Sequence, residues 1–281
     1  LILVLVAVVS AQGFLFGSGP EWDGLRVTFG LNILGNALDK MPRTINEAAQ
    51  YGFTLKDSQC LNANQQFRGM RYWKDEDPAL ILLFDRNGII AGIQTAPPKD
   101  LYTPSTQMTH KAYAETDDSW VLTAYFVKPE TICTTGRTLD DLSTEGTGNI
   151  LLLQNGTNPE RDLVEIPHNE EDIKNTKWGN GKCFPGMGQH YWFNIRKDMD
   201  CGEFFPYCVL YTNGKLNAFC FAVHKDLEIS SRYEHPTAKD AEGCCLNTPD
   251  CFYTDSNAHK KQSTLHVFLT NNPLKNICPL F

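Results

Sequence analysis

The chain of 281 residues carries a net charge of -8, with 21% charged and 42% hydrophobic residues, a composition that excludes disordered and fibrous classes. Its one short basic cluster is Lys260-Lys261. Nucleic-acid binding needs a concentrated cationic surface to displace counterions, so that class is excluded too.

The N-terminal stretch LILVLVAVVSAQG is apolar from Leu1 to Val9, far too short to span a bilayer. It reads as a truncated secretory signal, residues 1–11, cleaved near Ala11–Gln12. The first helix signal is MPRTINEAAQYG at 41–52, with Pro near the start, Glu in the first turn and Gly at the stop. Thr44 and Glu47 fit a capping box, and Cys60 follows. Residues 68–94 hold Tyr72-Trp73, an apolar run, Asn87-Gly88 and a second apolar run. Asn-Gly between two such runs predicts a hairpin, because both central residues of a type I′ turn need positive φ. VLTAYFVKPETIC at 121–133 is a β-rich run ending in Pro and Cys, and the Thr/Gly-rich segment 134–147 reads as a linker.

The order then recurs. Asn155-Gly156-Thr157 is an N-glycosylation acceptor in a turn-rich stretch. IPHNEEDIKNTKWG at 166–179 repeats the helix signal, and Cys183 follows it. Tyr191-Trp192, Asn213-Gly214 between apolar runs, and LHVFLTNNPLKNIC at 265–278 complete the match. The expected architecture is therefore mainly β: two tandem, disulfide-stapled β-sandwich or barrel-like modules, 24–133 and 148–278, each with one short helix. The alternative is that the copies interlock into one pseudo-symmetric barrel.

Ten cysteines without any CxxC pair indicate disulfides in an oxidising compartment rather than a zinc ribbon. Equivalent copies predict equivalent bonds, Cys60–Cys133 and Cys183–Cys278. The second copy holds six more: Cys201, Cys208, Cys220, Cys244, Cys245 and Cys251. A two-residue hairpin centred on Asn213-Gly214 puts Cys208 and Cys220 on opposite faces, which argues against their bonding. A vicinal bond is strained, so Cys244 and Cys245 are expected to reach different partners. The cysteine-rich insertion 230–251 is a candidate binding rim.

GMGQHYW followed by LYTNGK, within 186–215, resembles a pattern in secreted bacterial and animal β-barrel domains of unknown function. The resemblance implies a β fold and extracellular placement, and no activity.

His190 is the candidate catalytic residue. Its counterpart in the first copy is Arg71, while the neighbouring Tyr-Trp pair is retained. Candidate ligand-binding residues are Tyr191, Trp192, Tyr211, Phe219, Arg71 and Trp73, which would wall an apolar site. His190, His224, His235 and Glu234 could bind a divalent metal, although no HxH or HExxH spacing supports it, and no motif requires a cofactor. GxSxG and GK[ST] are both missing, which removes the common serine-hydrolase and P-loop signatures. The expectation is a secreted, extracellular protein with no membrane span, binding a small apolar molecule or an extracellular protein through its second module. The alternatives are a secreted enzyme centred on His190, of an oxygen-dependent, luciferase-type oxidation, or a structural protein of a secretion or matrix.

Overall fold

The computed structural model describes residues 19–30, 35–60, 66–109, 111–254 and 261–278; the signal-peptide reading of 1–11 lies outside them. Runs rich in β-branched, aromatic and aliphatic residues become strands between turn residues. The first half supplies β1 (Arg26–Val27), β2 (Asp39–Lys40), β3 (Thr54–Asp57), β4 (Met70–Trp73), β5 (Ile81–Phe84), β6 (Ile90–Thr95), β7 (Ala114–Glu115) and β8 (Trp120–Tyr125). The second half supplies β9 (Leu151–Gln154), β10 (Leu163–Ile166), β11 (Trp178–Phe184), β12 (Gly188–Phe193), β13 (Tyr207–Thr212), β14 (Lys215–Val223) and β15 (Ser263–Phe268).

The strands form two antiparallel sheets. One runs β3-β4-β5-β6-β8-β9-β10, with β7 paired to β8; the other runs β11-β12-β13-β14-β15-β1-β2. Both sheets are thus built in the same chain order, β3-β4-β5-β6-β8 matching β11-β12-β13-β14-β15. Each is then extended by a strand pair from the other half of the chain. β1 pairs with β15, and β9 pairs with β8. The 134–147 segment contains a helix, Leu139–Glu145, capped reciprocally by Thr138 and Asp141. Arg137 is buried beside it and donates to the carbonyls of Gly146, Thr147 and Ile90.

The inner faces of both sheets share one core. Leu82, Ile93, Leu122 and Phe126 pack with Val209, Phe219, Phe221 and Val267, and the Phe126 and Phe219 rings lie 6.2 Å apart. Fully burying each such side chain contributes about 2 kcal/mol. No helix of the described residues is long and apolar enough to cross a membrane.

The helix at Ile45–Gln50 starts as expected, Thr44 accepting from Glu47 N, but the Glu47 carboxylate reaches back to Arg43 N instead of closing a capping box. The second helix signal gives only Glu170–Ile173. The two Asn-Gly hairpins also differ. Asn213 and Gly214 both have positive φ, 52° and 76°. In the first hairpin only Gly88 does (80°), because the Asp85 carboxylate accepts from Asn87 N and Ile89 N and shapes a longer loop.

Four disulfides close the frame. Cys60–Cys133 and Cys183–Cys278 occupy equivalent places, as the repeat requires, and Cys201–Cys251 ties the insertion down. Two expectations fail. Cys208 and Cys220 are bonded, because the register slips by one residue beyond Leu210/Tyr211 and brings them directly opposite. The extra residue, Asn217, is absorbed as a β-bulge, which turns the rest of β14 over relative to a regular hairpin. Cys244 and Cys245 reach no other partner and remain thiols with sulfurs 3.9 Å apart. Alkylation of the unfolded, unreduced chain should therefore label two cysteines, 244 and 245. Peptide mapping of the same sample should recover 208 linked to 220; label at either would overturn that pairing.

Candidate functional site

Strand alternation decides which residues can meet. Along β12, Tyr191 points into the shared core, while His190 and Trp192 point to the outer face. Register pairing lines up two rows on that outer face. Trp192 lies opposite Cys208, Cys208 opposite Cys220, and Cys220 opposite His266. In the next row His190 lies opposite Leu210, Leu210 opposite Ala218, and Ala218 opposite Phe268. The small side chains of Cys208, Cys220 and Ala218 leave room for the two imidazoles to lean towards each other across two strands. Their ring centroids are 5.9 Å apart, nearly perpendicular.

Both histidines are enclosed, His190 at 1% and His266 at 6% exposure. His190 Nδ1 lies 3.1 Å from the Gly188 carbonyl and 3.2 Å from that of Lys182. Two acceptors fix the proton on Nδ1. Burial, followed by the nearby His266, pushes its pKa down to about 3 against the opposing pull of those carbonyls, so the ring is neutral. His266 Nδ1 lies 2.5 Å from Glu234 Oε2, and its Nε2 is buried without a partner. Glu234 comes from the insertion. Its carboxylate also accepts from Phe29 N (2.6 Å) and Thr264 Oγ1 (2.7 Å).

These side chains open on a cavity of about 260 Å³ walled by Phe29, Phe184, Met187, Trp192 and Phe252, with Cys244 and Cys245 on the insertion side. Trp192 Nε1 is also buried without a partner. Gly181 lets β11 press against the insertion: a Cβ there would sit 2.3 Å from the Cys244 carbonyl, and Lys182 N donates to that same oxygen. The hydrogen bond that Cys245 shares with Cys244, the Cys245 thiol donating, and its own burial raise the Cys245 thiol well above its usual range, so it is protonated at ordinary pH.

The corresponding rows of the other sheet are closed. There Trp73, Ile81, Gln94 and Thr123 stand in line, and Arg71 stands opposite Leu83. Arg71 Nε donates to Gln94 Oε1 (3.0 Å), and Gln94 Nε2 donates to Thr123 Oγ1 (3.0 Å). The bridge fills the place that the second sheet leaves open, with Thr123 where His266 would be.

Of the residues singled out from the sequence, His190, Trp192 and Glu234 come together. Tyr191, Tyr211 and Phe219 face the shared core; the tyrosine hydroxyls donate to Glu170 Oε1 (2.8 Å) and to the Pro167 carbonyl (2.6 Å). Trp73 lies in a separate groove under the Lys56 ammonium, 3.6 Å from its ring centroid. His224 stacks on Phe252 beside a neighbouring cavity of about 450 Å³, and His235 pairs with Asp226 at 2.8 Å. Asn155 is half-buried, its Oδ1 enclosed. His266 was missed as a site residue because only the β14–β15 pairing, across the long insertion, places it. A ring nitrogen of His190, Cys208 Sγ and a ring nitrogen of His266 all lie within 4.8 Å of one another. Cys208, however, is spent in its disulfide.

No protein-family model matches the chain, and comparison with curated proteins and with solved structures finds no match either.

Removing the Glu234 carboxylate leaves the Phe29 N–H, the Thr264 hydroxyl and His266 Nδ1 unpaired in a buried place. Glu234→Ala is therefore expected to destabilise the fold by about 3 kcal/mol, measured by urea unfolding with disulfides intact. A loss below about 0.5 kcal/mol, the level of ordinary surface substitutions, would contradict the carboxylate's organising role.

Proposed function

We propose that the protein is a secreted, extracellular binder of a small, largely apolar molecule, held in the His190–His266 cavity. One observation carries this reading. Two buried polar atoms, Trp192 Nε1 and His266 Nε2, lack partners and belong to residues lining the same apolar cavity. Buried polar groups in native proteins are normally satisfied, so such a pair points to a ligand that supplies the missing bonds. The volume suits a single aromatic ring with short substituents and one polar group. The cavity belongs to the second of two copies of one module. The shared strand order and the equivalent disulfides support that reading, and the paired cysteines support an oxidising compartment. Asn155 is the proposed glycan site.

A second reading keeps the cavity and adds catalysis. It moves the acid–base role from His190, which is held neutral, to His266, whose Nδ1 is bonded to Glu234.

Titration with 4-ethylphenol, followed by calorimetry and tryptophan emission, tests the binding reading. Saturable one-to-one binding is expected, abolished by Met187→Trp, which fills the cavity. Trp192→Phe keeps the ring but removes the N–H, and is expected to weaken binding about tenfold, the worth of one hydrogen bond. No saturable binding by any of a panel of substituted phenols, or unchanged binding in Met187→Trp, would sink the proposal.

A further inference from the structure

We propose that His190 and His266 together hold one copper(I) ion through their Nε2 atoms, with Glu234 orienting His266 from behind. The inference uses the cavity described above but does not require its organic ligand.

The donor geometry comes first. Each imidazole is anchored at Nδ1, His190 by two backbone carbonyls and His266 by the Glu234 carboxylate. Nε2 is then the nitrogen each ring has to offer. A histidine ligand usually has its other nitrogen bonded to a carbonyl or carboxylate, which fixes the tautomer and the ring plane. Here both forms of that support are present, on two rings whose nitrogens approach within 4.8 Å. His266 Nε2 is buried and unpartnered, a costly state unless something occupies it.

The choice of ion follows from what the cavity lacks. Zinc takes three or four protein ligands in its common sites, and only two nitrogens are on offer. Both Glu234 oxygens are engaged by Phe29 N, Thr264 Oγ1 and His266 Nδ1. Asp240 accepts from the Thr237 backbone and hydroxyl through Oδ2 and joins no donor cluster with the two histidines among the described residues. Cys208 is in a disulfide, and among the described residues neither Cys244 nor Cys245 joins the two histidines in a cluster of donor atoms. Two imidazole nitrogens therefore remain as the donors that face an ion in this cavity. Copper(I) is satisfied by two or three ligands, and imidazole nitrogen and thioether sulfur both suit it. Met187 supplies a thioether in the wall of the same cavity.

The first module gives an internal comparison. Its corresponding positions carry Arg71 and Thr123, joined through Gln94. A guanidinium there excludes a cation, so one ion per chain is expected.

The test is anaerobic titration of the oxidised, full-length chain with copper(I) against bicinchoninate, with X-ray absorption on the loaded protein. One ion per chain with a nitrogen-dominated first shell is expected. His190→Ala and His266→Ala should each weaken binding at least 100-fold, and Glu234→Gln by 10- to 100-fold. His224→Ala and the double variant Cys244→Ser/Cys245→Ser should bind as the parent does. Circular dichroism and thiol counts confirm that each variant is folded, and the absorption spectrum of the parent stands independently of any variant. Failure of the parent to compete with the chelator would overturn the proposal. So would a sulfur-only first shell, loss of binding in the cysteine double variant alone, or tight zinc(II) uptake with none of copper(I). Repeating the 4-ethylphenol titration in excess chelator separates the two proposals, because the organic ligand can bind or fail without the ion.

Discussion

The alternation of side chains across β12–β15 is the constraint on which the candidate site depends. This sheet is buried on both faces, so its inner row must fill the shared core while its outer row needs a second cover. The inner row is aromatic and aliphatic: Tyr191, Val209, Phe219, Val267. The outer row carries His190, Trp192, the Cys208–Cys220 bridge and His266, and the cysteine-rich insertion covers it. The bulge at Asn217 keeps the two cysteines opposite each other and makes the small-residue floor beneath the imidazoles.

The same strand order in both sheets makes the molecule a controlled comparison with itself. Tyr72 and Tyr191 both face inward, and Trp73 and Trp192 both face outward. The differences gather on the outer rows. In one sheet Arg71, Gln94 and Thr123 satisfy each other, giving a closed polar bridge. In the other, Cys220 replaces the bridging amide, the insertion adds Glu234, and the nitrogen and indole groups around the cavity are left without mutual partners. A satisfied network rigidifies, whereas an unsatisfied one in an apolar enclosure invites a ligand.

The exchange of edge strands explains why this asymmetry is tolerated. β1 and β2 complete the sheet of the second half, and β9 and β10 complete that of the first. Each half therefore needs the other for its sheet edge and for its side of the core. The exchanged edges and the shared core thus lie apart from the outer rows where the two sheets differ. Two disulfides in equivalent places reinforce both sheets, and Cys201–Cys251 anchors the insertion that brings Glu234 to His266.

The sequence alone determined the mainly β character, the repeated order of elements and the Cys60–Cys133 and Cys183–Cys278 bonds. It also placed His190 and Trp192 at the centre of interest. These follow from local periodicity, turn chemistry and internal repetition, all of which are written along the chain. The tertiary structure alone decided that Cys208 meets Cys220, because a bulge adds a residue that counting along a regular hairpin misses. It alone left Cys244 and Cys245 as thiols, sent Tyr191, Tyr211 and Phe219 to the core, and kept His224 and His235 away from His190. His266 joins the site through strand pairing across a long insertion, and Glu234 reaches it from that insertion. Such contacts arise from register and packing between distant segments, for which the linear order of residues carries no periodic signal.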